Sequence, residues 1–296
     1  MKLHTVSCLA VLLLGACGTL RAERINESKT YSYHSSTGSK TQTAEEIEDI
    51  GELTEKQGFS AFREKLRFNV TARESYTTNA LLEGSHSSSD AVFLPTIEAG
   101  FHTLLGKNFS FDLAFKVESA VFAKYDERNF AGYSAVATLD YRFKPGAPKL
   151  FVGVEPYRYD SFDTGDLLTQ AIGLTAGADW EVPFNAGRSL AFVGYRFTDY
   201  LADPNIDSRL VHRAVVGMGH QIRSNVTGQF YYLYQHSDYT DFDRADNKHT
   251  VAANLIYQFS RHWFGSLTTS YVNSDSSQNG ASYEGFNAGL GVTVQF

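Results

Sequence analysis

The chain has 296 residues, a formal net charge of -7 and two cysteines, and 43% of its residues are hydrophobic. The acidic balance argues against a nucleic-acid-binding surface, which is normally basic. Mean hydropathy is slightly negative at -0.26, and the 24 glycines, 17 tyrosines and 22 phenylalanines do not suit a bundle of membrane-spanning helices. The composition favours a β-rich chain that is apolar on one side only.

The amino terminus predicts an export signal. A short basic start precedes the apolar run LAVLLL at 9–14, which is too short to span a bilayer, and small residues follow it. Cleavage after Ala22 would give a signal peptide of residues 1–22 and remove both cysteines, in keeping with an oxidising envelope compartment. The residues around Cys17 also resemble a bacterial lipobox, so lipidation there is left open.

Residues 23–58 predict a polar leader ahead of the folded domain. A Ser/Thr-rich stretch is followed by an acidic piece in which Ile47, Ile50 and Leu53 recur at three-residue spacing, which suggests one short helix. A flexible leader and a plug or periplasmic contact helix are both left open as its role.

Residues 59–296 are the predicted barrel domain, in which a period-two pattern from about Arg63 onward predicts β-strands. In the last segment Phe286, Leu290 and Val292 alternate with small or polar residues, and earlier segments repeat the pattern. The fold class is therefore all-β, with about twelve strands, near 65–81, 91–105, 108–123, 131–143, 149–160, 167–182, 189–200, 209–222, 226–237, 249–260, 262–273 and 283–296. Because Pro95 and Pro156 each remove a ladder donor, they mark bulges or a wrong strand, and ten or fourteen strands are left open.

The connections and the aromatic residues favour a membrane barrel over a soluble sandwich. Short links alternate along the chain with polar links rich in Asp, Ser and Asn, as in transmembrane barrels. Since unpaired backbone groups are not tolerated in lipid, amphipathic strands must close into a single antiparallel transmembrane β-barrel. Aromatic residues near segment ends could form interface girdles, namely Tyr141, Phe143, Trp180, Phe184, Tyr257, Phe259 and Trp263.

The export signal, the antiparallel strands and the ending GLGVTVQF at 289–296 together resemble the outer-membrane β-barrel proteins of Gram-negative bacteria. The resemblance implies a bacterial outer-membrane location, contact with outer-membrane lipid and lipopolysaccharide, and recognition of the terminal Phe296 by the barrel-insertion machinery. Small twelve-stranded sugar-acid porins are the nearest analogy. The likeness to them is imperfect, because their lumen is dominated by arginine.

The alternation also predicts which side chains face the lumen. Inward glycines such as Gly153, Gly173, Gly177, Gly217, Gly219, Gly289 and Gly291 are expected to leave space. We therefore expect a narrow, passive, porin-like channel for small hydrophilic solutes, with a salt-bridged, non-conducting structural or surface-interaction barrel as the alternative. The pore-lining candidates are of both signs and nearly cancel: Arg67, Arg73, Glu98, Asp112, Lys116, Glu118, Asp140, Arg142, Glu155, Asp179, Glu181, Arg196 and Arg213.

Enzymatic and metal-binding hypotheses find less support. His212, His236 and Asp238 resemble the placement, though not the motifs, of Asp/His pairs in barrel proteases, so a barrel hydrolase is the third alternative. Three predicted loops are rich in aspartates, such as Asp163 and Asp241, whose oxygens could bind Ca²⁺. The loops lack the glycine and the bidentate glutamate of an EF-hand, so we expect no Ca²⁺ site there. We expect no catalytic residue, no metal, no cofactor and no nucleic-acid partner.

Overall fold

The computed structural model describes residues 66–80, 82, 88–144, 146–162, 164–203, 205–240, 243–278 and 281–296. The predicted signal peptide 1–22, the lipidation option at Cys17, the leader 23–58 and residues 59–65 lie outside this part of the chain. No helix within the described ranges has the length and hydropathy of a membrane-spanning segment.

Twelve antiparallel strands form one closed barrel, in which each strand pairs with its neighbours in the sequence and the first closes on the last. The predicted fold class and strand number are confirmed, and the alternatives of ten or fourteen strands are wrong. The strands are β1 Leu66–Thr77, β2 Asp90–Leu104, β3 Phe109–Phe122, β4 Phe130–Arg142, β5 Lys149–Ser161, β6 Leu167–Phe184, β7 Ser189–Asp203, β8 Arg209–Arg223, β9 Val226–Tyr239, β10 Ala245–Gln258, β11 Trp263–Ser276 and β12 Tyr283–Gln295.

The barrel is apolar outside and mainly polar inside. In β12, Phe286, Leu290 and Val292 are exposed on the outer surface, whereas Asn287 and Thr293 at the alternate positions are buried. The same exposure pattern follows every strand, because successive side chains point to opposite faces of the sheet. An outer surface covered with Leu, Val, Phe and Tyr is the surface that lipid requires.

The two strand prolines interrupt the ladder without shifting it. Pro95 lies opposite Ala72 in β1, and the β2–β3 register is the same before and after it. Pro156 likewise leaves the β4–β5 register unchanged. Because the register is unchanged at both prolines and both lie within strands, the expectation that they mark bulges or a wrongly assigned strand is wrong. The register shifts lie elsewhere, at Tyr159/Asp160 and at Gln221/Arg223.

The connections define two rims. We call the end of the barrel at which β2, β4, β6, β8, β10 and β12 finish the short-turn rim, because two to six residues separate successive strands there. We call the opposite end, at which the other six strands finish and five to twelve residues separate successive strands, the loop rim. In bacterial outer-membrane barrels the short turns face the periplasm and the loops face the cell exterior. The predicted loop at 238–248 is wrong in extent, because β10 begins at Ala245.

Aromatic side chains form a girdle at the short-turn rim. Trp180 and Trp263 are 45% and 40% exposed on the outer surface, and the Trp180 indole N–H donates to the carbonyl of Gly146 at 3.0 Å. Tyr141 contacts both Phe109 and Phe143, and Tyr257 contacts Phe259. Rings with one polar edge are suited to the boundary between hydrocarbon and headgroups.

Candidate functional site

The interior of the barrel is the candidate functional site. The thirteen residues predicted to line the lumen all occupy the inward positions of their strands, and eight of them are buried. Sequence analysis missed five further inward charges, all of which are buried near strand ends: Asp90, Lys149, Arg209, Asp246 and Lys248.

Charges of opposite sign occupy opposite walls of the barrel. We call strands β2–β6 the acidic wall, because their inward acids outnumber their inward bases Lys116, Arg142 and Lys149; the acids are Asp90, Glu98, Asp112, Glu118, Asp140, Glu155, Asp179 and Glu181. Strands β7–β12 and β1 form the basic wall, which presents Arg67, Arg73, Arg196, Arg209, Arg213 and Lys248 against Asp246. The near cancellation of signs expected from the sequence therefore holds for the lumen as a whole and not for either wall.

Ion pairs on the acidic wall connect neighbouring strands. Lys149 Nζ lies 3.4 Å from an Asp140 oxygen and 3.8 Å from an Asp179 oxygen, so one ammonium group is shared by two carboxylates. Lys116 pairs with Glu118 at 3.1 Å on the same strand. Since the inward carboxylates of this wall outnumber its inward cations, the wall keeps a net negative charge.

Neutral groups hold much of the basic wall in place. Arg213 donates from Nε and Nη2 to the side-chain oxygen of Gln235 at 3.0 and 2.6 Å. Arg196 lies over the Phe151 ring at 4.9 Å, and Arg209 lies over the Tyr200 ring at 5.3 Å. An amide or an aromatic ring orients a guanidinium without cancelling its charge.

The interior is more open toward the short-turn rim than toward the loop rim. Near the short-turn rim the side chains of Arg67, His102 and Asp112 are 32%, 33% and 22% exposed. Toward the loop rim, inward side chains such as Glu155 and Arg209 are fully buried. The lumen therefore narrows toward the loop rim.

An apolar and aromatic cluster occupies part of this loop-rim half. The ring centroid of Tyr157 lies 5.5 Å from that of Tyr159 and 5.8 Å from that of Tyr200, and Phe130 meets Tyr159 edge to face. The Tyr159 hydroxyl donates to Glu118 at 3.2 Å. Aromatic side chains thus reach the inside of the barrel, a feature that the polar-inward pattern did not predict.

Several inward glycines are covered by rings and do not leave open space. A Cβ at Gly173 would lie 2.6 Å from the Tyr200 ring, and at Gly177 and Gly217 it would meet Phe151 and Phe192. The expectation that these glycines enlarge the lumen is therefore wrong. Each one lets the ring of an inward neighbour lie against the barrel wall.

The loop that joins β1 and β2 also contributes to the filling. Ala80 is buried within the aromatic cluster, and Leu82 packs against Val272 and Tyr283 on the inner face. The Asn79 side-chain amide donates to the carbonyl of Glu284 at 2.9 Å, which fixes the start of the loop to β12. These described residues narrow the loop rim from one side.

The residues considered for catalysis lie on the outer surface. His212 and His236 are cross-strand partners with ring centroids 6.4 Å apart, and Asp238 occupies the next outward position on β9. The His212 Nδ1 atom and the Tyr195 hydroxyl share a hydrogen bond of 2.7 Å. In the described part of the chain no group of three or more His, Cys, Asp or Glu residues could hold a metal ion. Asp163 and Asp241 lie outside that part.

Comparison with known proteins supports a porin-like barrel. Residues 157–296 match the model of a family described as "Putative beta-barrel porin 2". No curated protein shows significant sequence similarity to the chain. Among solved structures, an outer membrane channel from Pseudomonas putida F1 aligns with a TM-score of 0.53 and 12% identity, over 80% of this chain and 97% of that chain.

Two further solved structures are similar at lower scores. The beta domain of the Bordetella autotransporter BrkA gives a TM-score of 0.48 and 9% identity, over 79% of this chain and 100% of that chain. The KdgM porin in complex with disordered oligogalacturonate gives a TM-score of 0.46 and 11% identity, over 77% of this chain and 99% of that chain. At such identities the likeness is one of fold. The closed barrel, its apolar outer surface and the matching family model define the class: the chain is a porin-like β-barrel of the bacterial outer membrane.

Proposed function

We propose that this barrel is a narrow, passive channel for small hydrophilic solutes. The observation that carries the proposal is the interior itself, in which Asp, Glu, Lys or Arg side chains occupy inward positions on nine of the twelve strands. Charged groups avoid dry interiors unless they are paired or solvated, and here the partly exposed ones cluster toward the short-turn rim. A water-filled path between two charged walls would admit small polar solutes and exclude large ones.

The proposal includes no chemical step and no cofactor. The His212, His236 and Asp238 side chains belong to the outer surface and are separated from the lumen by the sheet. Transport through the channel would follow the concentration gradient of the solute. Outer-membrane lipid, lipopolysaccharide and, during assembly, the barrel-insertion machinery would be its other partners.

A non-conducting structural or surface-interaction barrel is the second candidate. The observation that favours it is the burial of inward side chains throughout the loop-rim half, including Glu155, Arg209 and Gln235. A filled interior of hydrogen-bonded charges would stabilise the barrel without passing solute.

Single-channel recording separates the two candidates. The mature chain, refolded in detergent and shown to be folded by a heat-modifiable gel shift, would be inserted into a planar bilayer. Discrete current steps of reproducible size are expected for the channel. A folded barrel that inserts and gives no steps would refute the channel and support the filled barrel.

Charge reversal provides the matched test that the current passes through this lumen. Arg142→Glu changes an inward residue near the short-turn rim, and we expect it to shift the reversal potential toward cation selectivity. Arg158→Glu makes the same change on the outer surface, where Arg158 pairs with Asp160 at 2.8 Å. Equal reversal potentials for both variants would contradict conduction along the charged walls.

A further inference from the structure

The short-turn rim carries a ring of exposed cations. Five short turns connect strands at this end, and none of them contains Asp or Glu: residues 105–108, 143–148, 185–188, 224–225 and 259–262. Each turn contains or adjoins one exposed lysine or arginine, in the order Lys107, Lys144, Arg188, Arg223 and Arg261. We call these five residues the basic ring.

The charges of the basic ring are available to a partner. Within the described residues none of the five side chains forms an ion pair, and Arg188 donates from Nη2 to the backbone carbonyl of Gln221 at 3.4 Å. The connections at the loop rim have the reverse balance, since their sequences contain eight acids and three bases. The excess of positive charge therefore belongs to one end of the barrel, where it attracts acidic segments.

The polar leader joins the barrel at this same end. β1 begins at Leu66 on the short-turn rim and runs to the loop rim, so the chain reaches β1 from the side of the basic ring. Residues 45–55 of the leader contain six Asp or Glu residues and no Lys or Arg. We call these eleven residues the acidic segment.

We infer that the acidic segment docks on the basic ring. The leader lies outside the described residues, and the inference rests on the opposite charges of the two partners and on the length of chain between them. Ten residues, 56–65, connect the acidic segment to β1, and ten residues span at most about 33–36 Å. Twelve strands about 4.8 Å apart and tilted by about 40° form a ring roughly 24 Å across, so the acidic segment can reach every member of the basic ring.

Tethering makes a set of weak ion pairs sufficient for docking. A segment held by a short linker is present at an effective concentration in the millimolar range. Each exposed ion pair multiplies the docking equilibrium by about 1.5–5, and three pairs formed together multiply it by about 3–100. Docking makes the leader a contact element of the periplasmic rim, and it goes beyond the proposed channel because it does not depend on conduction.

Zero-length cross-linking tests the docked position. A carbodiimide joins a lysine amine to a carboxylate in contact with it as an amide and takes up the released water as a urea. Applied to the folded mature chain in uncharged detergent, it should form amides from Lys107 and Lys144 to the acidic segment, which mass spectrometry of the monomer band identifies. Lys124 is the matched control, because it is an exposed lysine at the loop rim and should form none with that segment.

Arginine variants separate docking from the chemistry of the cross-link, because arginine does not react with the carbodiimide. The triple variant Arg188→Gln, Arg223→Gln and Arg261→Gln should lower the yield at both rim lysines about 3- to 100-fold. Arg158→Gln, a change on the outer surface of β5, should leave the yield unchanged. In 1 M salt, where the screening length is about 3 Å, the yield from the unmodified chain should also fall.

Each contrary outcome has a definite meaning. Absence of these cross-links in the folded, unmodified chain would overturn the inference, and so would a yield that salt leaves unchanged. Loss of the cross-links when phosphatidylglycerol is added to the micelles would overturn it too, and would assign the basic ring to anionic lipid headgroups. Should the triple variant fail the gel-shift test for folding, the salt dependence of the unmodified chain still tests the electrostatic origin. A barrel without current steps would refute the proposed channel and leave this inference intact.

Discussion

Substitution of Gly132 by alanine tests whether the aromatic rings inside the barrel are held by close contact with the wall. A Cβ at this position would lie 2.7 Å from Cδ1 of Tyr159 and closer still to Cε1. The ring cannot easily move, since Phe130 and Tyr157 pack against it and its hydroxyl is bonded to Glu118. Overpacking of this kind costs about 1–3 kcal/mol.

Alanine in a strand gains about 0.5–1 kcal/mol over glycine, so we expect Gly132→Ala to lower the free energy of unfolding by a net ~1–2 kcal/mol. Gly228 is the matched control, because the nearest atom to its Cβ would be the flexible end of Ile222 at 3.3 Å. Gly228→Ala should be neutral or slightly stabilising. Urea unfolding of the folded barrel, followed by the gel shift, measures both.

A double-mutant cycle identifies the ring as the cause. In a Tyr159→Ala background the clash is gone, and Gly132→Ala should then lose most of its effect. The close-contact explanation would be refuted if both glycine substitutions changed the free energy of unfolding equally. It would also be refuted if Gly132→Ala lowered that free energy by the same amount with and without the Tyr159 ring.

Three further predictions concern other parts of the barrel. Lys149→Met should destabilise the fold by about 3–5 kcal/mol in urea, because it leaves two buried carboxylates without their shared cation, and adding Asp140→Asn should recover part of the loss. Trp180 and Trp263, the chain's two tryptophans, should be quenched most strongly by lipids brominated near the headgroup; strongest quenching at mid-bilayer would contradict the girdle. Leu82→Gly should raise single-channel conductance, because it removes an inward side chain at a residue whose φ of 52° suits glycine; an unchanged current would show that this side chain does not narrow the path.

Much of the fold could be predicted from the sequence, because lipid imposes an apolar residue at every second position of each strand. The pattern fails at the start of β10, where Asn247 and His249 point outward. Because both faces of this segment carry polar residues, the sequence shows no alternation of apolar and polar positions there, and Asp246 and Lys248 were assigned to a loop. These outward side chains bond to tyrosines of β9, Asn247 to Tyr234 at 2.8 Å and His249 to Tyr232 at 2.6 Å.

The interior was predictable in composition and less so in arrangement. Strands that are neighbours in the chain are also neighbours in the barrel. The separation of the inward acids, most of which lie at or before Glu181, from the inward bases, many of which lie at or after Arg196, is therefore already present in the linear order. The packing of rings such as Tyr200 against Gly173 was not predictable, since it depends on the register between strands. An inward tyrosine and an outward tyrosine also look alike in a single sequence.

The ring of strands closes at the seam between β1 and β12, so the barrel does not depend on which strand comes first in the chain. The seam is an antiparallel pair like the other eleven, and Phe68 and Phe296 exchange backbone hydrogen bonds of 3.2 and 2.9 Å at the short-turn rim. A few linking residues between position 296 and position 66 would form a sixth short turn. A circular permutant opened in any one of the other loops would then carry both of its termini on the cell surface, with the same barrel beneath them.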